Sequence, residues 1–189
     1  MADLHPVLTR LGLDHQRFAG VLGILQRSIE SVDPDWLMVR DCLTYLTDYA
    51  DEVHHRLEDV VFNQLLQADL EGAQHEAVVV NAKQHKTIAE ASQRLLQDVD
   101  LVLADTVVPV ERILIHLAQY LKVQRDHIRY ENEYVFPLAR QHIQAAGWDQ
   151  ISSQLLSVED PVFVSRVDQF SRLYEAVVAQ AELTADPQN

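Results

Sequence analysis

Two histidine–glutamate pairs carry the first chemical signal of this chain. His54 and Glu58 form one pair, and His127 and Glu131 form the other, each within apolar sequence that has a helical pattern. Residues four apart lie on the same face of an α-helix. Two such helices facing each other would therefore bring two imidazoles and two carboxylates to one point.

Two further histidines have similar apolar flanks in other helical stretches. His15 lies 18 residues before Asp33 and His54 lies 21 after it, or about 27 and 32 Å along helices that rise about 1.5 Å per residue. Similar counts from the next two turns place His85 and His127 at the same level. We therefore expect one layer containing all six candidate metal ligands: His15, His54, Glu58, His85, His127 and Glu131.

Helical periodicity runs through most of the chain. Amphipathic patterns predict helices over residues 8–29, 34–68, 73–102, 109–146 and 162–183. With 48% hydrophobic residues, five glycines and six prolines, the composition favours long helices over a turn-rich β fold. We expect an all-α fold, an up-down-up-down four-helix bundle with an additional C-terminal helix.

Cap and stop signals set the expected helix ends. Asp33 followed by Pro34 predicts an N-cap with proline at the first helical position, and Gly72 and Gly147 predict helix stops. Asp160, followed by proline, repeats the cap signal before the fifth helix.

The fifth helix needs a partner for its apolar stripe. We expect a bundle domain over residues 1–148 and a helical extension over 149–189 that packs on the bundle or on a second copy of the chain, forming a homodimer. The stripe consists of Val164, Val167, Phe170, Leu173, Tyr174 and Val177.

Neighbouring residues predict opposite directions for two adjacent histidines. The stripe of His54 contains Leu43, Ala50, Leu57, Val61 and Leu65, whereas that of His55 contains Asp48, Asp51, Glu52 and Asp59. We therefore expect His54 to point inward and His55 outward. The apolar neighbours of Glu131 place its carboxylate in the core, where it would be costly without a cation.

Imidazole and carboxylate donors without thiolate suit iron or manganese, and zinc less well, with iron the expected metal. A ferritin-type centre would need a Glu-x-x-His motif on each of two helices. The only match begins at Glu52 and ends at His55, which is expected to face outward, and this argues against that type of centre.

The formal net charge of −14 disfavours nucleic acid or an anionic membrane as a partner. The first residues lack the pattern of a signal peptide, and no apolar run approaches the roughly 20 residues that span a bilayer. We expect a cytoplasmic protein. Cys42 is the sole cysteine, which excludes an internal disulfide.

Over residues 8–142 the sequence resembles the hemerythrin-like family, also called the HHE cation-binding domain. The resemblance lies in His15 and His85 with their flanks, the segment from His54 to Phe62, and the segment from His127 to Pro137. It implies a left-handed four-helix bundle that holds two non-haem irons, oxo- or hydroxo-bridged. It also implies that Glu58 and Glu131 bridge the irons and that two of the four histidines are terminal ligands on each.

The chain departs from the similar oxygen-carrying hemerythrins in its third helix. Those proteins place a second histidine one turn from the ligand, whereas Asn81 and Ala89 flank His85 here. With six protein ligands, an iron should keep an exchangeable position for water, hydroxide, O2, NO or peroxide.

Three functions remain open at this point. The favoured one is a di-iron protein that binds or senses O2, NO or peroxide, or holds iron. The alternative is a di-iron enzyme that reacts with peroxide or NO, or that resembles the iron–sulfur cluster repair proteins. The third is a structural metal or an empty bundle whose fifth helix serves for pairing.

Overall fold

The computed structural model describes residues 5–154, 159–165 and 168–185, with side chains up to residue 181. Its regular structure is helical and begins with four rods, each a continuous helical stretch. The rods are α1 (Pro6–Glu30); α2 (Trp36–Tyr45), π1 (Leu46–His54) and α3 (His55–Leu65); α4 (Gly72–Leu103); and α5 (Val110–Tyr130), π2 (Glu131–Val135) and α6 (Phe136–His142). α7 (Ala145–Ser153) follows, and a 3-10 turn (Asp168–Phe170) leads into α8 (Ser171–Ala185).

Short connections make consecutive rods antiparallel neighbours. Residues 31–35, 66–71 and 104–109 join them, and connections of this length favour adjacent packing in a bundle. The fold prediction, an all-α bundle with an additional C-terminal helix, is confirmed. None of the helices in the described ranges is long and apolar enough to cross a membrane.

Several predicted helix ends were wrong. Asp35, not Asp33, caps α2, because its carboxylate accepts the Met38 N–H at 3.0 Å. Gly72 begins α4 and does not end the second rod, whose last helical residue is Leu65. Gly147 lies inside α7, where a Cβ would collide with the Ile143 and Gln64 side chains. That glycine serves close packing, and the fourth rod ends earlier, at His142.

The C-terminal helix begins later than predicted. Asp160 does accept backbone N–H groups, but the residues after it form a turn, and the helix starts at Ser171. Val167 lies outside the described residues. α8 packs along α1, where a Cβ on Gly20 would touch Val177, and Phe170 and Leu173 enter the core.

The apolar core consists of two clusters separated by a polar layer. On α1, Leu11 belongs to one cluster and Phe18 to the other, with His15 between them. On the second rod, Ala50 and Leu57 bracket His54 in the same way. The corresponding residues on the other rods are Val78 and Ile88 around His85, and Leu121 and Val135 around His127.

Candidate metal centre

The polar layer contains all six predicted ligands. Each rod contributes one histidine, and the second and fourth rods add a glutamate. Every one of these side chains is at most 6% exposed: His15, His54, Glu58, His85, His127 and Glu131.

The second rod reaches this layer through a π-helical segment. In π1 the backbone N–H groups bond five residues back, so that the His55 N–H donates to Ala50. This wider turn holds about one more residue than an α-turn and rotates the residues that follow it. The last residue of π1, His54, and the first of α3, His55, are both buried against the layer.

The expectation that His55 points outward was wrong. Its side chain is 5% exposed and its ring stacks on His85 with centroids 4.3 Å apart. Asp51 is also buried, with a carboxylate oxygen 3.3 Å from His55 Nδ1. The direction of His55 therefore no longer argues against a ferritin-type centre. The remaining argument against it is that the chain contains a single Glu-x-x-His match.

Glu58 presents one carboxylate oxygen to each pair of histidines. Its Oε1 lies 3.2 Å from His15 Nε2 and 3.1 Å from His54 Nε2. Its Oε2 lies 3.4 Å from His85 Nε2. The layer accordingly divides into a His15/His54 half and a His85/His127 half.

Glu131 spans the same two halves. Its Oε1 lies 3.1 Å from His127 Nε2 and 3.4 Å from His85 Nε2. Its Oε2 lies 3.5 Å from His15 Nε2. Each of the two carboxylates therefore faces both halves of the layer.

Side-chain oxygens outside the layer fix the histidine rings. Each Nδ1–H donates to one oxygen, so each Nε2 is turned toward the carboxylates and can bind a cation once it is unprotonated. The four bonds are His15 to Asn132 at 3.0 Å, His54 to Asp14 at 3.3 Å, His85 to Asp59 at 2.9 Å and His127 to Gln84 at 3.0 Å.

Sequence reasoning missed these four outer residues, although a signal for them exists. Each directly adjoins a predicted ligand on one rod while it bonds a histidine on another. Asp14 precedes His15, and Asp59 follows Glu58. Gln84 precedes His85, and Asn132 follows Glu131. A polar residue beside a buried ligand therefore marks a partner for the neighbouring rod.

The layer as it stands lacks partners for its inward-facing atoms. The buried atoms without a hydrogen-bond partner include Nε2 of His54 and His127, both oxygens of Glu58 and Oε2 of Glu131. Nitrogen lone pairs that face carboxylate oxygens in a buried site repel unless a proton or cation lies between them. The residues present therefore fit a bound metal.

The carboxylates also change the proton affinity of the histidines. Burial alone would lower the pKa of His54, but Glu58 and Asp14 outweigh it and raise the pKa to about 9. Burial likewise opposes the charge on His85, yet Asp59 and the two glutamates raise its pKa to about 11. For His127, burial dominates and lowers the pKa to about 4.

Two overlapping groups of side chains have ligand atoms close enough to hold an ion. One consists of His15, His54 and Glu58, and its atoms lie within 4.8 Å of one another. The other consists of His55, Glu58, His85 and His127, at the same separation.

The Hemerythrin HHE cation binding domain matches residues 7–139. The chain belongs to this family. The match covers about 70% of the chain, all four rods up to α6 and every predicted ligand, whereas α7 and α8 lie beyond it. No curated protein and no solved structure matches the chain.

A surface cleft between α4 and α5 reaches one half of the HHE layer. Its volume is about 730 Å³, and Asn81, Gln84 and His127 are among the residues that line it. Asn81 is 1% exposed and donates from Nδ2 to Glu131 Oε1 at 2.7 Å, while its Oδ1 has no partner. The His85/His127 half therefore borders this cleft at His127.

Proposed function

We propose that this HHE protein holds two non-haem irons and binds O2, NO or peroxide at the His85/His127 half. Family membership and the buried donor set establish a domain suited to cation binding. The observation that supports two cations is the arrangement of Glu58 and Glu131, each of which turns one oxygen to each histidine pair. Iron would supply an exchangeable coordination position and a change of oxidation state.

The chain's own residues would divide the work between holding metal and admitting a ligand. Asn81 fixes Glu131 through its Nδ2–H and presents an unpartnered oxygen beside the cleft. On the opposite half, Phe18 lies edge-on to His54 at 4.8 Å, and Phe136 stacks on His15 at 5.3 Å. Because these rings cover the His15/His54 half, ligand exchange is expected at the half that borders the cleft.

Anaerobic titration of the ferrous protein with NO and with O2 tests this proposal. The visible spectrum should change at a stoichiometry of one ligand per iron pair. His127→Ala should lose the response, whereas His116→Ala, which alters an exposed histidine on the same helix, should retain it. An unchanged spectrum in the iron-loaded protein would contradict ligand binding.

A di-iron enzyme is the second candidate, supported by buried groups beside the His85/His127 half. His55 and Asp51 lie there, yet the bridged arrangement of the six ligands does not need them. Groups of this kind could exchange protons with a reacting ligand. Steady turnover of peroxide or NO, lost in His55→Leu with iron content retained, would favour the enzyme. A reaction that stops after one equivalent would exclude it.

A further inference from the structure

A buried carboxylate from the C-terminal segment, outside the family match, connects to the metal layer. Asp160 is 1% exposed and accepts the backbone N–H groups of Val162 and Phe163 at 2.9 and 3.0 Å. It also accepts the Tyr45 hydroxyl at 2.9 Å and Arg17 Nη1 at 3.3 Å. The segment thus places a fully desolvated negative charge against the first two rods.

Arg17 joins this carboxylate to a second one on its own helix. Its Nη1 donates to Asp14 at 3.4 Å and to Asp160 at 3.3 Å. Its guanidinium lies over the ring of Phe163, 5.3 Å from the centroid, so the C-terminal segment holds the arginine on two sides. One cation is therefore shared between two buried carboxylates.

Asp14 carries the connection to the predicted ligand. Its Oδ2 accepts His54 Nδ1–H at 3.3 Å, and the Tyr49 hydroxyl donates to the same carboxylate. A hydrogen bond between a guanidinium and a carboxylate is about twice as strong as one between neutral groups, so the pairing of Arg17 bears on the Asp14 carboxylate. Asp160 shares Arg17 with Asp14, so loss of the Asp160 carboxylate would leave the guanidinium to the acceptor that orients His54.

We propose that Asp160 is a positioning residue of the metal centre, acting through Arg17 and Asp14 on His54. The segment over residues 159–165 is then part of the metal site. This inference rests on the proposed function, since it concerns the cation held by the His15/His54 half. The C-terminal extension would then act on the metal centre of its own chain, whether or not the protein forms a homodimer.

The test compares Asp160→Asn with Glu159→Gln in the full chain. Both variants remove one negative charge from adjacent residues, but Glu159 is exposed. Each protein is loaded with ⁵⁷Fe under anaerobic conditions, and Mössbauer spectra and iron affinity against a competing chelator are measured. The wild type must first show two irons per chain; if it does not, the proposed function fails by itself.

Asp160→Asn should change one of the two Mössbauer doublets and leave the other as in the wild type. Affinity for one iron should fall about three- to tenfold, less than the 10–100-fold typical of a direct partner of a ligating histidine. Glu159→Gln should match the wild type in both measurements.

Two results would overturn the inference. In the first, Asp160→Asn leaves both doublets and both iron affinities unchanged. In the second, Asp160→Asn changes both doublets equally and lowers the melting temperature. If Asp160→Asn does not fold, Arg17→Lys takes its place, because lysine keeps the charge but cannot bridge both carboxylates in the same way. The same single-doublet change is expected, and its absence overturns the inference.

Discussion

The two halves of the metal layer share their donor types but differ in their surroundings. In the His15/His54 half, phenylalanine rings cover both imidazoles, and Asp14, at 2% exposure, orients His54. In the His85/His127 half, the outer partner Asp59 has a side chain 47% exposed. Two phenylalanine rings cover the first half, called the enclosed half below, whereas the second, the reachable half, borders the cleft between α4 and α5. A bridged pair of cations in this layer would therefore contain one retained ion and one reachable ion.

A second difference concerns the buried carboxylates that are not ligands. Asp14, beside the His15/His54 half, accepts hydrogen bonds from Arg17 and Tyr49. Asp51, beside the other half, accepts from the Ser92 hydroxyl, and its Oδ1 has no hydrogen-bond partner. Asp14 thus pairs with a cationic side chain, while Asp51 faces the Ser92 hydroxyl and the His55 imidazole.

Removal of a bridging carboxylate should have the largest effect. Glu58→Gln should abolish binding of both cations, because the Glu58 carboxylate faces both halves and each half would lose an anionic ligand. Elemental analysis of the iron-loaded variant measures this, with Glu52→Gln, an exposed change on the same rod, as the control. Retention of one iron at full affinity would mean that the halves bind independently.

Asp51 should make the metal-free protein less stable as pH rises. Burial, partly offset by the Ser92 bond, raises the pKa of Asp51 to about 7, against about 3.9 when unfolded. Protonated Asp51 therefore contributes fully to the free energy of unfolding below about pH 4. This contribution is lost as pH rises to about 7, at up to about 1.4 kcal/mol per pH unit.

Asp51→Asn should remove this part of the pH dependence. Urea denaturation of the metal-free proteins measures the free energy of unfolding of each. The variant should become more stable than the wild type by a margin that grows from pH 4 to pH 7. A constant difference would show that Asp51 stays ionised in the fold.

Matched substitutions of the outer aspartates should separate the halves. Asp14→Asn should weaken iron binding about 10–100-fold at one position, the usual cost of altering a partner of a ligating histidine. Asp59→Asn should cost less, because water can replace its half-exposed carboxylate as the acceptor for His85. Chelator competition measures both affinities, and equal losses would contradict the contrast between enclosed and reachable halves.

The smallest expected effect lies at the cleft. Asn81→Leu should slow azide binding to the iron-loaded protein, because the larger apolar side chain obstructs the approach to His127. Val80→Leu, at an exposed position of the same cleft, should leave the rate unchanged. Stopped-flow absorbance gives both rates, and an unaltered rate in Asn81→Leu would place ligand entry elsewhere.

The sequence predicted the fold and the layer because both depend on periodic burial. His54 and His127 each precede a glutamate by one turn within apolar flanks, and the rod lengths bring the six residues to one height. The direction of His55 could not be predicted in this way, since a helical wheel assumes α-geometry and π1 departs from it. Asp160 was equally out of reach, because its contact with Arg17 spans 143 residues and depends on the path of the C-terminal segment.

The proposed bridging of two irons by Glu58 and Glu131 underlies the other proposals. Anaerobic loading of the full chain with ferrous iron, followed by elemental analysis and, after oxidation, measurement of magnetic susceptibility, examines it. Two irons per chain with coupled spins are expected. One iron per chain, or two irons with independent moments, would contradict the bridging.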